Sequence, residues 1–193
     1  MRKPKPPASS RALIIRASLE YITPPIWREL SIPEHFTLAQ LHRALQLTFG
    51  WLDCHLYRFT AGATHYADPR AEVGAKNATK TTLAALAFPP QSTLTYVYDF
   101  GDDWEHVLVV QRIHEYAPDD RRAAVLLDGA RACPPEDSGG PPGYAQLLTA
   151  RSDPTDPDHA AALEWLGPSF DPERFDLRRA ADALTVAGVW GAI

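Results

Sequence analysis

The sequence predicts an α+β domain with a largely antiparallel sheet packed with helices. Strand-like segments come first along the chain and helix-like segments come last, without the alternation that builds a parallel sheet. A long stretch of alternating apolar residues between 94 and 113 also folds back at a tight acidic turn, which is typical of a hairpin. The last part of the chain is predicted to be helical.

We expect residues 1–10 to form a disordered arm, because they are basic and rich in proline. Residues 11–193 are predicted to form a single domain, since no second linker is present. The first strand covers 13–21, where apolar residues occupy the odd positions. A second strand over 26–32 contains Arg28 and other polar residues, which favours an exposed or edge position.

The clearest helix begins after Thr37. Thr37 and Gln40 have capping-box spacing, apolar residues then recur every three to four positions, and Gly50 ends the pattern. The remaining predicted elements are strands at 55–60, 63–66, 94–98, 104–113 and 123–127, a polar loop at 67–80, and helices at 144–150, 157–166 and 177–187.

Composition limits the classes of function. The chain has 193 residues, 19 Lys and Arg against 24 Asp and Glu, and a net charge of −5, which disfavours broad neutralisation of a nucleic-acid backbone. Its two cysteines, Cys54 and Cys133, are too few for a disulfide framework or a zinc site of paired cysteines. No apolar run reaches 18 residues and no export signal is recognisable, so we expect a cytoplasmic protein without a membrane partner.

Several ordered motifs resemble one bacterial family. They are Ile26-Trp27-Arg28, Leu41-His42, the segment 49–56, the segment 96–106, the Pro-Pro-Glu-Asp-Ser-Gly-Gly segment 134–140, Gly143-Tyr144, the segment 164–167 and the segment 170–175. The set is similar to that of the plasmid pRiA4b open-reading-frame-three-like family and spans nearly the whole chain from residue 11.

The resemblance implies an uncharacterised α+β domain found on plasmids and bacterial chromosomes. Members also occur as passenger genes of mobile elements under a resolvase-like name. A serine resolvase needs an arginine-surrounded nucleophilic serine and usually a helix-turn-helix, and the sequence displays neither. Many relatives have a cysteine at the position of Ser138.

One group of candidate functional residues lies at the hairpin turn. Asp99, Asp102, Asp103 and His106 are of the types that bind divalent metal ions. The alternative is local, because Asp and Gly are favoured in such turns and Trp104 and His106 share one strand face. Asp99, Asp102 and Trp104 are the ligand-binding candidates, and Asp99, Asp102 and His106 are also metal candidates.

A second group lies in the loop 133–143, where prolines and glycines present two carboxylates. Glu136 and Asp137 are candidates for ligand and metal binding, and their alternative role is to cap the helix near Tyr144. A functional site is favoured if this loop meets the acidic hairpin, since local turn chemistry does not explain a meeting of distant polar segments.

Histidines and aromatic residues complete the candidates. His42 on the first helix is a second possible acid or base beside His106, and it could approach His55, although each histidine alone is more often structural. We expect Cys54 and His55 to point to opposite faces of a strand. The tryptophans and tyrosines could stack on bases or anchor a partner, but core packing is the default.

Two functions follow, and the sequence does not decide whether the protein is an enzyme. The first is a binding or adaptor module for protein or nucleic acid, with nucleic-acid contacts made by the basic arm. The second is a metal-dependent hydrolase, with phosphodiesters as one candidate substrate class. It would use the acidic hairpin and the Pro-Pro-Glu-Asp loop with His106 or His42 as acid or base. A divalent metal ion is its expected cofactor.

Overall fold

A computed structural model describes residues 11–68, 71, 74–116 and 123–187. The predicted arm at 1–10 and Trp190 lie outside the described residues. The strands are β1 (Arg11–Leu19), β2 (Trp27–Pro33), β3 (Tyr57–Ala61), β4 (Thr64–Ala67), β5 (Lys76–Asn77), β6 (Thr93–Tyr98), β7 (Trp104–Glu115) and β8 (Val125–Ala130). The helices are α1 (Leu38–Phe49), α2 (Leu83–Leu86), α3 (Gly140–Ser152), α4 (His159–Leu166) and α5 (Leu177–Val186).

The eight strands form one sheet in the order β5-β4-β3-β6-β7-β1-β2-β8. Every pairing is antiparallel except that of β4 with the two-residue β5. The prediction of an α+β fold with a largely antiparallel sheet is therefore confirmed. Sequence analysis did not predict α2 or β5, which are too short to show a periodic pattern.

Helix α1 begins and ends where the sequence predicts. Thr37 accepts a hydrogen bond from the Gln40 backbone N–H, the Gln40 side chain accepts one from the Thr37 N–H, and Gly50 closes the helix with a φ of 98°. The apolar face of the helix is buried in the core against the sheet. Its last turn leads directly into the turn that bears the candidate site.

The prediction that β2 is an exposed or edge strand is wrong. β2 lies between β1 and β8, and Arg28 is buried. The guanidinium donates to four backbone carbonyls, those of Trp27, Thr48, Ala130 and Arg131, at 2.8–3.0 Å. Its carbon also lies 3.8 Å from the ring centroid of Phe175. These contacts replace the water that a charged side chain in the interior has lost.

The C-terminal helices pack against one another and against the rest of the fold. α3 packs against α4, and α5 packs against α1 and β8. The loop before α3 reaches the β6–β7 turn, where the Gly139 N–H donates to the Asp102 carboxylate at 3.0 Å. Among the described residues, no helix is both long enough and apolar enough to cross a membrane.

Candidate metal centre

Three segments that are distant in sequence meet at His55. They are the turn between α1 and β3, the β6–β7 turn and the loop before α3. The Nε2 atom of His55 lies 3.2 Å from Asp137 Oδ1, 3.6 Å from Asp99 Oδ2 and 3.8 Å from Glu136 Oε2. The acidic hairpin and the Pro-Pro-Glu-Asp loop therefore do meet, as the sequence-based hypothesis required for a functional site.

The Nε2 atom of His55 lies at the centre of this cluster. Nε2 is buried and has no hydrogen-bond partner among the described residues. A buried ring nitrogen normally has a partner. In a tetrahedral zinc site with ligands at 2.0–2.1 Å, ligand atoms lie about 3.3 Å apart, which is close to the separations of 3.2 Å and 3.6 Å from Nε2 to Asp137 and Asp99. The geometry therefore resembles that of ligands around one ion.

Asp99 presents one carboxylate oxygen to His55 and uses the other locally. Its Oδ1 accepts a hydrogen bond from the Gly101 N–H at 2.9 Å, and its backbone is left-handed with a φ of 57°. The backbone N–H of Asp99 donates to the Leu56 carbonyl at 2.9 Å. These contacts fix Oδ2 toward His55, so the turn chemistry and the site geometry occur together.

Glu136 shows the same division between its two oxygens. Oε1 accepts hydrogen bonds from the Leu52 N–H at 2.7 Å and from the Tyr98 hydroxyl at 3.0 Å. Burial raises the pKa of Tyr98, so its hydroxyl remains a donor. Oε2 is buried without a hydrogen-bond partner in the described part of the chain. The suggestion that Glu136 caps the following helix is wrong, because α3 has Gly139 at its N-cap and no side-chain cap.

Cys54 also approaches this site. The ligand atoms of Cys54, His55 and Glu136 lie within 4.8 Å of one another, as do those of His55, Asp99 and Asp137. The expectation that Cys54 and His55 face opposite sides of a strand is wrong, because β3 begins only at Tyr57. Both residues lie in a turn instead, where alternation does not apply.

A ring of hydrogen bonds holds this turn on α1. Gln46 Nε2 donates to the Tyr96 hydroxyl (3.0 Å), which donates to His42 Nδ1 (2.7 Å). His42 Nε2 donates to Asp53 Oδ1 (2.7 Å), and the Asp53 N–H donates to Gln46 Oε1 (3.0 Å). Burial lowers the pKa of His42 against the opposing effect of Asp53, which is consistent with a neutral ring. His42 thus positions the turn that bears His55.

Three predicted site residues do not face the cluster. Trp104 and His106 are fully buried, and His106 Nδ1 donates to the carbonyls of Trp104 (3.0 Å) and Tyr96 (3.2 Å). Asp102 accepts from the Gly139 N–H and belongs to neither group of potential ligands. Trp104 and His106 are therefore not among the residues that we assign to ligand contact. Asp102 instead joins the hairpin to the loop before α3.

Glycine is required where these two segments touch. A Cβ atom at Gly140 would lie 2.4 Å from the Asp102 carbonyl oxygen, and its φ of 66° is left-handed. This close approach brings Asp137 beside the β6–β7 turn. For His55 the sequence favours a structural role, and its main signal in the sequence is its place within the family-like segment 49–56.

Comparison with known proteins identifies the family. The family model described as "Plasmid pRiA4b ORF-3-like protein" matches residues 11–179. The chain belongs to this family. The resemblance drawn from the sequence motifs is thereby confirmed, and the pRiA4b ORF-3-like match includes all three segments that meet at His55.

Two relatives of this pRiA4b ORF-3-like chain extend the comparison. The uncharacterized protein y4hQ of Sinorhizobium fredii is 34% identical over 158 residues, which is 80% of each chain. The crystal structure of a protein of unknown function from Methanosarcina mazei Go1 is 30% identical and has a TM-score of 0.79. It covers 88% of this chain and 97% of that one, so the two proteins share the fold.

Proposed function

We propose that this protein binds a divalent metal ion at His55 and acts as a metal-dependent hydrolase. The observation that carries the proposal is the buried His55 Nε2, which lacks a hydrogen-bond partner among the described residues and faces three carboxylates from two distant segments. An imidazole with carboxylates is a ligand set for Zn²⁺ or Mn²⁺. An adventitious acidic surface would not require a buried and unpartnered ring nitrogen at its centre.

We assign His55, Asp99 and Asp137 as the ligands and Glu136 as the general acid or base. The three ligand atoms lie within 4.8 Å of one another. The Asp137 side chain is 66% exposed, which leaves an open side for water and substrate. A bound ion would lower the pKa of water at that open position. The free Oε2 of Glu136, which is 3.8 Å from His55 Nε2, is placed to accept the proton.

Metal titration of chelator-treated, tag-free protein tests the ligand assignment. By isothermal titration calorimetry we expect one equivalent of Zn²⁺ or Mn²⁺ in the wild type, and a loss of binding in His55→Ala and Asp99→Asn. Asp103→Asn is the matched control, since it removes an exposed carboxylate from the same turn outside the cluster. Equal binding by Asp99→Asn and Asp103→Asn, with both variants folded, would contradict the assignment.

Glu136→Gln separates catalysis from metal binding. The amide oxygen can still accept from Leu52 and Tyr98, while the oxygen that faces His55 is replaced by a group that takes no proton. Chromogenic esters, phosphodiesters and peptides serve as substrates. We expect the variant to bind the metal ion and to lose at least about a hundredfold in hydrolysis rate. A variant as active as the wild type would refute this role.

The binding or adaptor module is the second candidate function. It is favoured by two exposed apolar side chains beside the cluster, Leu52 at 77% and Trp165 at 53% exposure. Such side chains often anchor a partner. The version in which the basic arm binds nucleic acid predicts that removal of residues 1–10 abolishes binding, and retained affinity for an oligonucleotide would exclude it.

A further inference from the structure

Two clefts adjoin the His55 cluster and meet at Trp165 on α4. The first has a volume of about 670 Å³ and includes Leu52, Glu136, Glu164 and Trp165 in its lining. The second, of about 420 Å³, includes Asp137 and Trp165. The assigned base and one assigned ligand therefore each line a cleft large enough for a side chain or a short peptide.

The first cleft presents an unusual apolar surface. Trp27 is half-buried, and Trp51 and Trp104 lie in the core, but Trp165 is 53% exposed. Leu52 is exposed across the same cleft, and Pro135 completes this apolar part of the lining. An exposed indole provides a flat face that attracts both apolar groups and cations.

The charged residues that line both clefts are all acidic. Glu136 and Glu164 line the first, and Asp137 and Asp158 line the second. No lysine or arginine occurs among the described residues that line either cleft. A polyanion such as a nucleic-acid backbone would be repelled by this arrangement, whereas a cation would be attracted.

We propose that these clefts bind a peptide segment in which a lysine or arginine lies next to an apolar residue. Its cationic group would lie over the Trp165 ring beside Glu164, and its apolar neighbour would contact Leu52. The inference deepens the proposed function, on which its catalytic meaning rests, because it makes a basic peptide rather than a phosphodiester the substrate class. Peptide binding itself does not require the metal ion.

Fluorescence anisotropy on metal-free protein tests the proposal. The probes are a capped, fluorescein-labelled tetrapeptide of alternating leucine and lysine, the same peptide with glutamate in place of lysine, and a labelled single-stranded oligonucleotide. We expect the lysine peptide to bind at least about tenfold more tightly than either anionic probe. A similar affinity for the lysine and glutamate peptides, or tighter binding of the oligonucleotide, would overturn the proposal.

Matched variants distinguish the clefts from the negative surface as a whole. Trp165→Ala and Glu164→Gln should each weaken binding of the lysine peptide by about three- to thirtyfold. The controls are Tyr21→Ala, which removes an exposed ring outside the clefts, and Glu115→Gln, which removes a charge at the far end of β7. Equal effects of the cleft variants and the controls, in folded proteins, would refute the proposed site.

The outcome is separable from that of the metal titration. Trp165 and Glu164 belong to neither group of potential metal ligands, so their variants should bind the metal ion as the wild type does. Failure of the lysine peptide to bind would overturn this inference while leaving a positive metal titration intact. Failure of the metal titration alone would leave a peptide-binding module.

Discussion

Mild acid should destabilise this protein through His106. The ring is fully buried, and burial lowers its pKa from 6.5 to about 3 against the opposing effect of its bonds to the carbonyls of Tyr96 and Trp104. The nearby charge of Arg28 lowers the pKa further. The folded protein thus holds His106 neutral at a pH where the unfolded chain takes up a proton.

The direction and size of the stability change follow from the pKa of His106 in the unfolded chain, 6.5, and in the folded protein, about 3. Because the unfolded chain binds the extra proton below pH 6.5, the stabilising contribution is complete above that value and is lost as the pH falls toward 3. Between pH 7 and pH 5 the loss from His106 alone amounts to about 2 kcal/mol in the free energy of unfolding. The full loss below pH 3 is about 5 kcal/mol.

Urea denaturation at pH 7 and pH 5 measures this loss, with His106→Asn as the comparison. Asparagine can keep a donor near the two carbonyls but has no proton to gain. The cavity that the smaller side chain leaves lowers stability equally at both pH values. The change in unfolding free energy between pH 7 and pH 5 therefore reports the protonation of His106. The buried His42 contributes with the same sign in both proteins. A pH dependence as steep in His106→Asn as in the wild type would refute the reasoning.

Three further predictions concern the contacts that hold the site. Arg28→Lys should lower the free energy of unfolding, measured by urea denaturation, by about 3 kcal/mol. The three N–H donors of an ammonium group cannot replace a planar guanidinium that reaches four carbonyls. Unchanged stability would contradict this prediction. Gly140→Ala should lower the melting temperature and weaken Zn²⁺ binding, because the added Cβ would clash with the Asp102 carbonyl. The control is Gly74→Ala, whose Cβ would have no atom within 4 Å, and it should leave Zn²⁺ binding unchanged. Tyr98→Phe should lower the rate of hydrolysis about tenfold and leave Zn²⁺ binding unchanged, because it removes a donor that positions Glu136. A wild-type rate would exclude that positioning role.

Local sequence signals predicted most of the fold. The capping box of α1 and the alternation that builds the β6–β7 hairpin depend on neighbouring residues, and both are present in the structure. The position of β2 was not predictable in this way. Arg28 resembles a surface residue in the sequence, but its acceptors include carbonyls 20, 102 and 103 positions away. Only the folded chain brings those carbonyls together.

The candidate site was predictable in part. Residue type identifies Asp99, Glu136 and Asp137 as candidates, and the meeting of their two segments distinguishes a site from local turn chemistry. Asp102 and His106 are also of metal-binding residue types, but Asp102 accepts a backbone N–H and His106 lies in the core. Residue type alone does not distinguish a carboxylate that faces an open position from one that accepts a backbone N–H.

The sequence does not identify His55 as a ligand, because a single histidine is more often structural and its turn resembles the start of a strand. In a strand, Cys54 and His55 would have faced opposite sides, but Asp53 has a φ of 59° and redirects the chain. That conformation is held by the hydrogen-bond ring through His42, Tyr96 and Gln46, whose members come from α1 and β6. The position of His55 is therefore a tertiary property, set by the core, while its three carboxylate neighbours are set by turns. Contacts within the protein position Asp99 and Glu136 without a ligand, which is the arrangement that the proposed metal centre requires.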